Sequence, residues 1–591
     1  MRRVSSVLWH NIGFVFVALV LVYCVVHAFD PPRLNWGDSM SDYNVMNSGR
    51  NFATYGFLHL RLTPFLIDPQ FLNLANVGDR MLLYTHYPQL PDLMNGMLRG
   101  VFHLSDLVQF RFVALTFSFA ALFFVYHLLC RYWGRDTAQV GLGLWVVNPL
   151  WIQHADYLHE APYGAFFGFG CLYLLTRYLD GRRGRWLVAA GVFMFFTFLA
   201  SYDYWFFAPL LVTMVVVGHH KAVFSRRVII PLFVLGAFAL AAVLFKFGTN
   251  AWALGGVSAG LQDIRFQFSE RATDSVTRTH YWNGIVPVAY GRIERFFSLL
   301  FFPIAAFWAL LPLLRRRWAD KYSIFAFDRA NPWLLFFAAL PFLTLFVELW
   351  VGQYYPILLV LPFTVVASAA LIALLVADRS RLVSVMGFAL AVALFANSLL
   401  ETLSFKKAFF QRSTIETLAA RLDSASAPGQ HILVNHTFDA PYRYYFRRNT
   451  NSMILIPPGV TDIALQSMAD PQTHPASGTV TGAIFVEHKH LTDEMYDKSY
   501  YYILGRYGLW WMWGNPERYH APIDRLIAER DSVLMSKVAQ VGEELYDARD
   551  YSIWRIRPPA AAVAAIEAGK SLRPVEVVMS PPSISPSAPH R

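Results

Sequence analysis

Long apolar runs separated by short polar loops repeat from the start of this chain to about position 401, where the pattern changes. A bilayer-crossing helix needs about 20 mostly apolar residues. Eleven runs approach that length: 11–29, 107–130, 138–153, 161–178, 186–201, 204–218, 228–247, 292–314, 332–349, 354–377 and 382–401. The pattern predicts a mainly α, polytopic transmembrane helical bundle over 1–401 with about eleven spans. Arg2 and Arg3 precede the first run as they would in a signal peptide. An Asp-Pro-Pro step follows in place of a small-residue cleavage site, which favours an uncleaved first helix.

Beyond 402 the apolar runs shorten to strand length, in HILVNH (431–436), SMILIP (452–457) and GAIFVEH (482–488). Helix-like stretches such as TDIALQSMAD and APIDRLIAERDSVLMSKVAQVG accompany them. This alternation predicts a C-terminal α/β domain over 402–570. The tail 571–591 is rich in Pro and Ser and is expected to be disordered.

Charge fixes the expected orientation. Only 15% of residues are charged and 55% are hydrophobic, with a mean hydropathy of +0.37. A soluble chain carries about 25% charged residues. The basic residues gather in alternate loops: Arg131 and Arg135; Arg177, Arg182, Arg183 and Arg185; Lys221, Arg226 and Arg227; Arg315, Arg316, Arg317 and Lys321; Arg379 and Arg381. The opposite loops at 154–160, 202–203 and 350–353 contain no Lys or Arg. By the positive-inside rule the N-terminus is cytoplasmic, and the long first loop (30–106), the segment 248–291 and the C-terminal domain are extracytoplasmic. Much of the net charge of +10 is therefore a topology signal, and nucleic acid is excluded as a partner. Cys24, Cys130 and Cys171 all lie in apolar runs and read as buried side chains rather than disulfide partners. No Walker-type loop, zinc-ligand spacing or nucleophile elbow appears, which argues against a nucleotide-driven pump.

Candidate chemistry collects on the external side. The stretch 36–91 supplies Asp38, Asp42 and Asp68, the imidazole of His86, and Tyr43, Tyr55, Tyr84 and Tyr87. WIQHADYLHEAPYG brings His154, Asp156, His159 and Glu160; ASYDYWFFAP brings Asp203; VELWVGQYYPILLVLP brings Glu348, Gln353, Tyr354 and Tyr355. Ionisable groups at membrane depth are costly unless they face a cavity or one another. Any one of them reads equally well as a helix cap in headgroup water; together they suggest a shared site. Arg265, Arg271, Arg278 and His280 in 248–291 fit either a phosphate-binding lid or an interfacial segment touching lipid headgroups. RYGLWWMWGNPERYH, further on, fits carbohydrate stacking, core packing or membrane contact.

Several short motifs then combine. They are Asp42-Tyr43, GRNFATYGF (49–57), Tyr84-Thr85-His86-Tyr87-Pro88-Gln89-Leu90, Asp203-Tyr204-Trp205 and GQYYPILLVLP (352–362). Over about residues 10–400 this arrangement resembles the GT-C superfamily of integral-membrane glycosyltransferases. It is most similar to the protein O-mannosyltransferase-like branch that includes the bacterial lipid A aminoarabinose transferases. Gln89 stands where a second Pro is frequent, and Gln353 where a His is common.

The resemblance implies a sugar donor linked to polyprenyl phosphate and an extracytoplasmic acceptor hydroxyl on a lipid, glycan or protein. It also implies inversion at the anomeric carbon and a bacterial inner-membrane location. It makes Asp42 the general base, with Asp38 the competing choice. Substrate contacts fall to His86, Tyr84, Arg50, Asp203, Gln353, Tyr354 and Tyr355. Asp156 and Glu160 would position the base or bind a divalent metal ion, Mg or Mn. His86 also reads as a loop-ordering hydrogen bonder, and Tyr354 and Tyr355 as interfacial aromatics. Two other classes compete: a flippase for a lipid-linked sugar or other polar lipid, and a membrane-anchored binding protein working through 402–591. Transporters commonly show internal repeats and helices broken near mid-membrane. No repeat is visible here, and the polar residues sit at span ends.

Overall fold

Helices stand in all eleven apolar runs. The structure, a computed structural model, describes residues 11–29, 39–69, 83–85, 87–220, 224–272, 289–294, 296–318, 332–346, 355–404, 412–426, 430, 432–435, 450–453, 483–489, 516–549 and 551–557. The chain divides into two compact units, Met1–Ser413 with Tyr501–Tyr519, and Thr414–Tyr500 with His520–Arg591.

The first unit opens with α1 (Ile12–Ala28), α2 (Ser39–Tyr55) and α3 (Leu90–Phe102). Then come α4 (Leu107–Trp133), α5 (Arg135–Val146), α6 (Pro149–His154), α7 (Glu160–Gly181), α8 (Gly184–Ala200) and α9 (Asp203–His220). They are followed by α10 (Arg226–Leu254), α11 (Val257–Ala272), α12 (Phe301–Trp318), α13 (Trp333–Leu345), a 3-10 turn at Tyr355–Val360, α14 (Leu361–Val376) and α15 (Arg381–Ser404). Among the described residues, Leu107–Trp133, Arg226–Leu254, Ile357–Val376 and Arg381–Thr402 are long and apolar enough to cross a bilayer. Four shorter apolar helices accompany them. The chain is an integral membrane protein, with apolar side chains such as Val22, Phe233 and Leu400 on its outer faces.

Two apolar runs are not single helices. The run 138–153 breaks between α5 and α6 because Pro149 brings no N–H to the ladder. Asn148 supplies the new start: its Oδ1 accepts from Leu150 N (3.0 Å), while its Nδ2 donates to Phe296 O (2.8 Å). In the run 292–314 the helix α12 begins only at Phe301, after Ser298 takes a left-handed φ of 67°. The polar stretch 36–91 is not simply a loop either, since α2 occupies Ser39–Tyr55.

Small residues set the closest helix approaches. Gly164 and Gly168 of α7 lie under the Tyr204 ring of α9, and a Cβ on Gly168 would come within 2.6 Å of that ring. α7 also packs against α4 and α8, and α8 against α10, so this seam lies inside the bundle.

In the second unit α16 (Arg412–Ala425) precedes β1 (Ile432–Val434), β2 (Thr450–Ser452) and β3 (Ile484–His488), and α17 (Pro516–Val541) leads into the hairpin β4 (Gly542–Asp547) and β5 (Tyr551–Ile556). The sheet order is β2-β1-β3-β5-β4, with β1 parallel to both neighbours and the β3–β5 and β5–β4 pairs antiparallel. The central strands β1 and β3 are apolar and buried. Beyond its end Asn435 ties the two together, accepting from His488 N (2.9 Å) and donating to His488 O (3.1 Å). β2 falls just ahead of the expected 452–457, where 454–457 lie outside the described residues, as do TDIALQSMAD and the tail 571–591. β4 and β5 are strands that the apolar pattern did not predict.

Replacing Gly168 with Leu is expected to lower thermal stability in detergent by about 1–3 kcal/mol through overpacking. Gly236→Leu should leave it unchanged, since a Cβ there meets nothing within 4 Å. Equal melting of both variants would show that the Tyr204 seam is not tightly packed.

Candidate active site

Helices α2 and α3 cross closely because Gly49 of α2 lies against Asn95 and Gly96 of α3 against Phe52. This crossing buries a polar face. Asp42, Asn44, Asn47, Ser48 and Asn51 from α2 and Asp92 and Asn95 from α3 are all shielded from solvent. Asn51 Nδ2 holds the following loop, donating to Phe65 O (2.9 Å) and Ile67 O (2.7 Å). Arg50, half-buried, donates to Asn47 Oδ1 (2.9 Å).

Asp42 is fixed from outside its own helix. Its Oδ1 accepts the backbone N–H of Leu158 at 2.8 Å, joining the first loop to the α6–α7 connection. That connection brings three more of the expected acids. Asp156 Oδ2 stands 3.9 Å from Arg111 Nε, and Arg111 donates to Ala28 O (3.1 Å). Glu160 opens α7 and Asp203 opens α9; Ser201 Oγ bridges them, donating to Glu160 Oε2 (2.9 Å) and accepting from Asp203 N (3.2 Å). The structure thus gathers Asp42, Asp156, Glu160 and Asp203 at one end of the bundle, with Tyr163 within electrostatic reach of both Asp42 and Asp92.

An aromatic wall adjoins the acids. Tyr84 stacks on Tyr87 at 5.0 Å, and Tyr87 meets His159 edge-on at 5.0 Å. Burial pushes His159 down to about 3 and His154 down to about 4, so both imidazoles are neutral at physiological pH. The 3.5 Å approach of His159 Nδ1 to Glu160 Oε1 is accordingly a polar contact and not an ion pair.

The wall is tied to α10. Lys246 Nζ donates to Tyr87 O, Gln89 Nε2 to Thr249 Oγ1 (3.2 Å), and Asn250 Nδ2 to Thr85 O (3.1 Å). The Lys246 ammonium lies within electrostatic reach of Asp92, Asp263 and Glu160. Asp92, Lys246, Arg111 and Ser201 were missed by sequence reasoning. A lone Lys within an apolar run, in VLFKFGTN, is the signal that could have found Lys246.

Buried polar groups in folded chains are about 90% hydrogen-bonded. Here Asn44 Oδ1, Asn95 Oδ1, His159 Nε2 and Asn250 Oδ1 are buried and make no hydrogen bond among the described residues. All belong to the elements that surround Asp42 or the Tyr84–Tyr87 wall. Such a concentration is what a site for a polar ligand needs.

Asp38, His86, Gln353 and Tyr354 lie outside the described residues. Tyr355 opens the 3-10 turn, but its side chain is likewise outside them. Asp156 faces Arg111, and Glu160 faces Ser201 and His159. Among the described residues no group of three or more His, Cys, Asp or Glu side chains is placed to hold a metal ion.

No family model and no curated protein matches the chain. Solved structures do. The archaeal oligosaccharyltransferase AglB from Archaeoglobus fulgidus, in complex with an inhibitory peptide and a dolichol-phosphate, aligns with a TM-score of 0.53 at 13% identity, covering 85% of this chain and 71% of that one. The apo form of the same enzyme gives 0.51 at 14% identity, over 84% and 71%. ArnT from Cupriavidus metallidurans bound to undecaprenyl phosphate covers 92% of this chain and 97% of its own, with a TM-score of 0.44 at 14% identity. The chain shares the fold of this archaeal oligosaccharyltransferase. AglB is the particular structure whose likeness carries that statement, and at this identity the likeness is one of fold.

Burial also pushes the Asp92 carboxyl up from 3.8 to about 7, with Ser48 and Lys246 offsetting part of the rise. A carboxyl protonated in the folded chain but ionised in the unfolded one holds an extra proton, so stability falls as pH rises from 3.8 to about 7 and levels off above. Asp92→Asn is expected to flatten that slope in unfolding measurements at a series of pH values. An unchanged slope would assign it to another group.

Proposed function

We propose that this chain is a membrane glycosyltransferase that moves a hexosyl or pentosyl group from a polyprenyl-phosphate donor to an extracytoplasmic hydroxyl. The acceptor is a lipid, glycan or protein. The observation that carries this reading is the Asp42 carboxylate, buried among polar groups at one end of an apolar bundle and held by the Leu158 N–H. The GT-C fold, and the dolichol-phosphate bound by AglB, support a lipid-phosphate donor.

In this mechanism a carboxylate oxygen of Asp42 takes the proton of the acceptor hydroxyl. The freed oxygen attacks the anomeric carbon from the face opposite the phosphate. The C–O bond to phosphate breaks with its electron pair, and polyprenyl phosphate departs with the negative charge. The Leu158 N–H keeps the Asp42 side chain oriented, which spares reorganisation as the proton moves. Arg50, from the next turn of α2 but one, is assigned to the developing phosphate charge, together with His86, Gln353, Tyr354 and Tyr355. Tyr84 and Tyr87 offer ring faces to a sugar. Asp203 and Glu160 flank the acceptor side through Ser201. The positive-inside pattern supports an extracytoplasmic position for this end of the bundle.

The test is transfer by the purified chain in lipid, with radiolabelled polyprenyl-phosphate sugars and a membrane extract as acceptor. Label should move to a new product, and Asp42→Asn should lower the rate by about 10²–10⁴-fold, the usual worth of a general base. Normal turnover in that variant, with Asp38→Asn inactive, would move the base to Asp38. Label that crosses the bilayer with its chemical attachment unchanged would replace the transferase with a flippase.

A further inference from the structure

Glu160 and Asp203 of the site open α7 and α9, and Arg111 beside Asp156 lies near the start of α4. The far halves of the same three helices line a cavity of about 570 Å³ that the proposed chemistry does not use. Phe169, the wall residue of α7 nearest Glu160, lies 9 residues beyond it, about 14 Å at a rise of about 1.5 Å per residue, and Thr176 lies further on. The two places are therefore separate.

The cavity is polarised along its length. Its inner end is closed by buried Trp145 and Phe169, whose rings meet edge-on at 5.5 Å, and its walls are otherwise mostly Leu, Val and Met. Its outer end carries Arg131, Tyr132, Gly218 and His219. Arg131 makes a bidentate pair with Asp180 and lies against the Tyr132 ring. Asp180 also feels Arg177 and His219, so three basic side chains surround one acid at this rim. A hydrocarbon chain fits the interior and an anionic headgroup fits the rim.

We infer that this cavity binds one acyl chain of an anionic phospholipid, with its phosphate at Arg131 and His219. Basic pockets between membrane helices take anionic headgroups on physical grounds already familiar from the cytoplasmic leaflet. The volume decides between lipid classes. Pockets of about 300–1,000 Å³ hold a drug-sized molecule, which suits a single acyl chain and not a long polyprenyl tail. The Arg131–Asp180 pair fixes the guanidinium at the rim, where Arg177 and His219 leave basic side chains in excess over the one acid.

Trp145 gives a readout. It is buried inside the bundle, so bulk lipid does not touch it, whereas a chain in the cavity does. The full chain is reconstituted in vesicles that contain phosphatidylglycerol or phosphatidylcholine with brominated acyl chains. Quenching of Trp145 is read as the difference between wild type and Trp145→Phe. Brominated phosphatidylglycerol should reach half-quenching at a mole fraction about fivefold lower than phosphatidylcholine, the worth of about one basic contact. Gly218→Leu should abolish the Trp145 component by blocking the outer end of the cavity, since a side chain there enters open space and leaves packing intact. Gly218→Ala should retain it, and both variants should elute as wild type does. Equal quenching by the two lipids would overturn headgroup recognition. No Trp145 component at all would overturn the site. Displacement by unlabelled polyprenyl phosphate in preference to phosphatidylglycerol would overturn the assignment to a phospholipid.

Discussion

Polar groups taken out of water must find partners, and this requirement shapes one end of the bundle. A buried amide or carboxyl left unpaired costs several kcal/mol against an apolar surrounding. Asn51 meets it through two backbone carbonyls, Asp42 through the Leu158 N–H, and Glu160 through Ser201. The Asn51 bonds hold the first loop against α2. The Asp42 bond joins α2 to the α6–α7 connection, and the Glu160 bond joins the start of α7 to the segment before α9. The fold at this end is consequently specified by polar complementarity, whereas the remainder is specified by apolar packing around small residues such as Gly170 and Gly191.

The contrast explains what could be read in advance. Helices in the apolar runs were legible because bilayer length and composition are local properties of the chain. Asp42, Tyr84, Asp156, Glu160 and Asp203 were legible because ionisable and aromatic side chains stand out at span ends. The helix α2 was not. Its apolar Val45, Met46 and Phe52 and its polar Asn44, Asn47 and Ser48 are all buried, so no one-sided stripe marks it. The same shared burial hid Asp92, which looks like a surface residue after Pro91 until Gly49 and Phe52 of α2 close against its helix.

Lys246 shows a second reason. Within a run of apolar residues it reads as an isolated exception, and its meaning comes only from Tyr87 and Asp92, which lie far away in sequence. In the second unit, β4 escaped notice because GEELYD is charged and lies at the sheet edge, where exposed acidic side chains also discourage further strand pairing. Long-range partners, more than local pattern, were the missing information.

The bonds between α10 and the first loop have a mechanical consequence. Lys246, Thr249 and Asn250, with the carbonyls of Trp252 and Ala253, engage Tyr87, Gln89, Thr85 and Arg61. The last two turns of α10 and the aromatic wall are therefore one rigid lever. Immediately after it, Gly255 and Gly256 take φ values of 91° and 153°, a joint that side chains would stiffen. Beyond the joint, α11 is held back to the lever by the hydrogen bond from Thr85 Oγ1 to Asp263 (3.2 Å). Swinging α11 breaks this bond and the packing of Gly260 on Ala251, while swinging the wall itself means dragging a 29-residue helix through the bilayer. Access to the site is thus cheaper on the α11 side than through the wall.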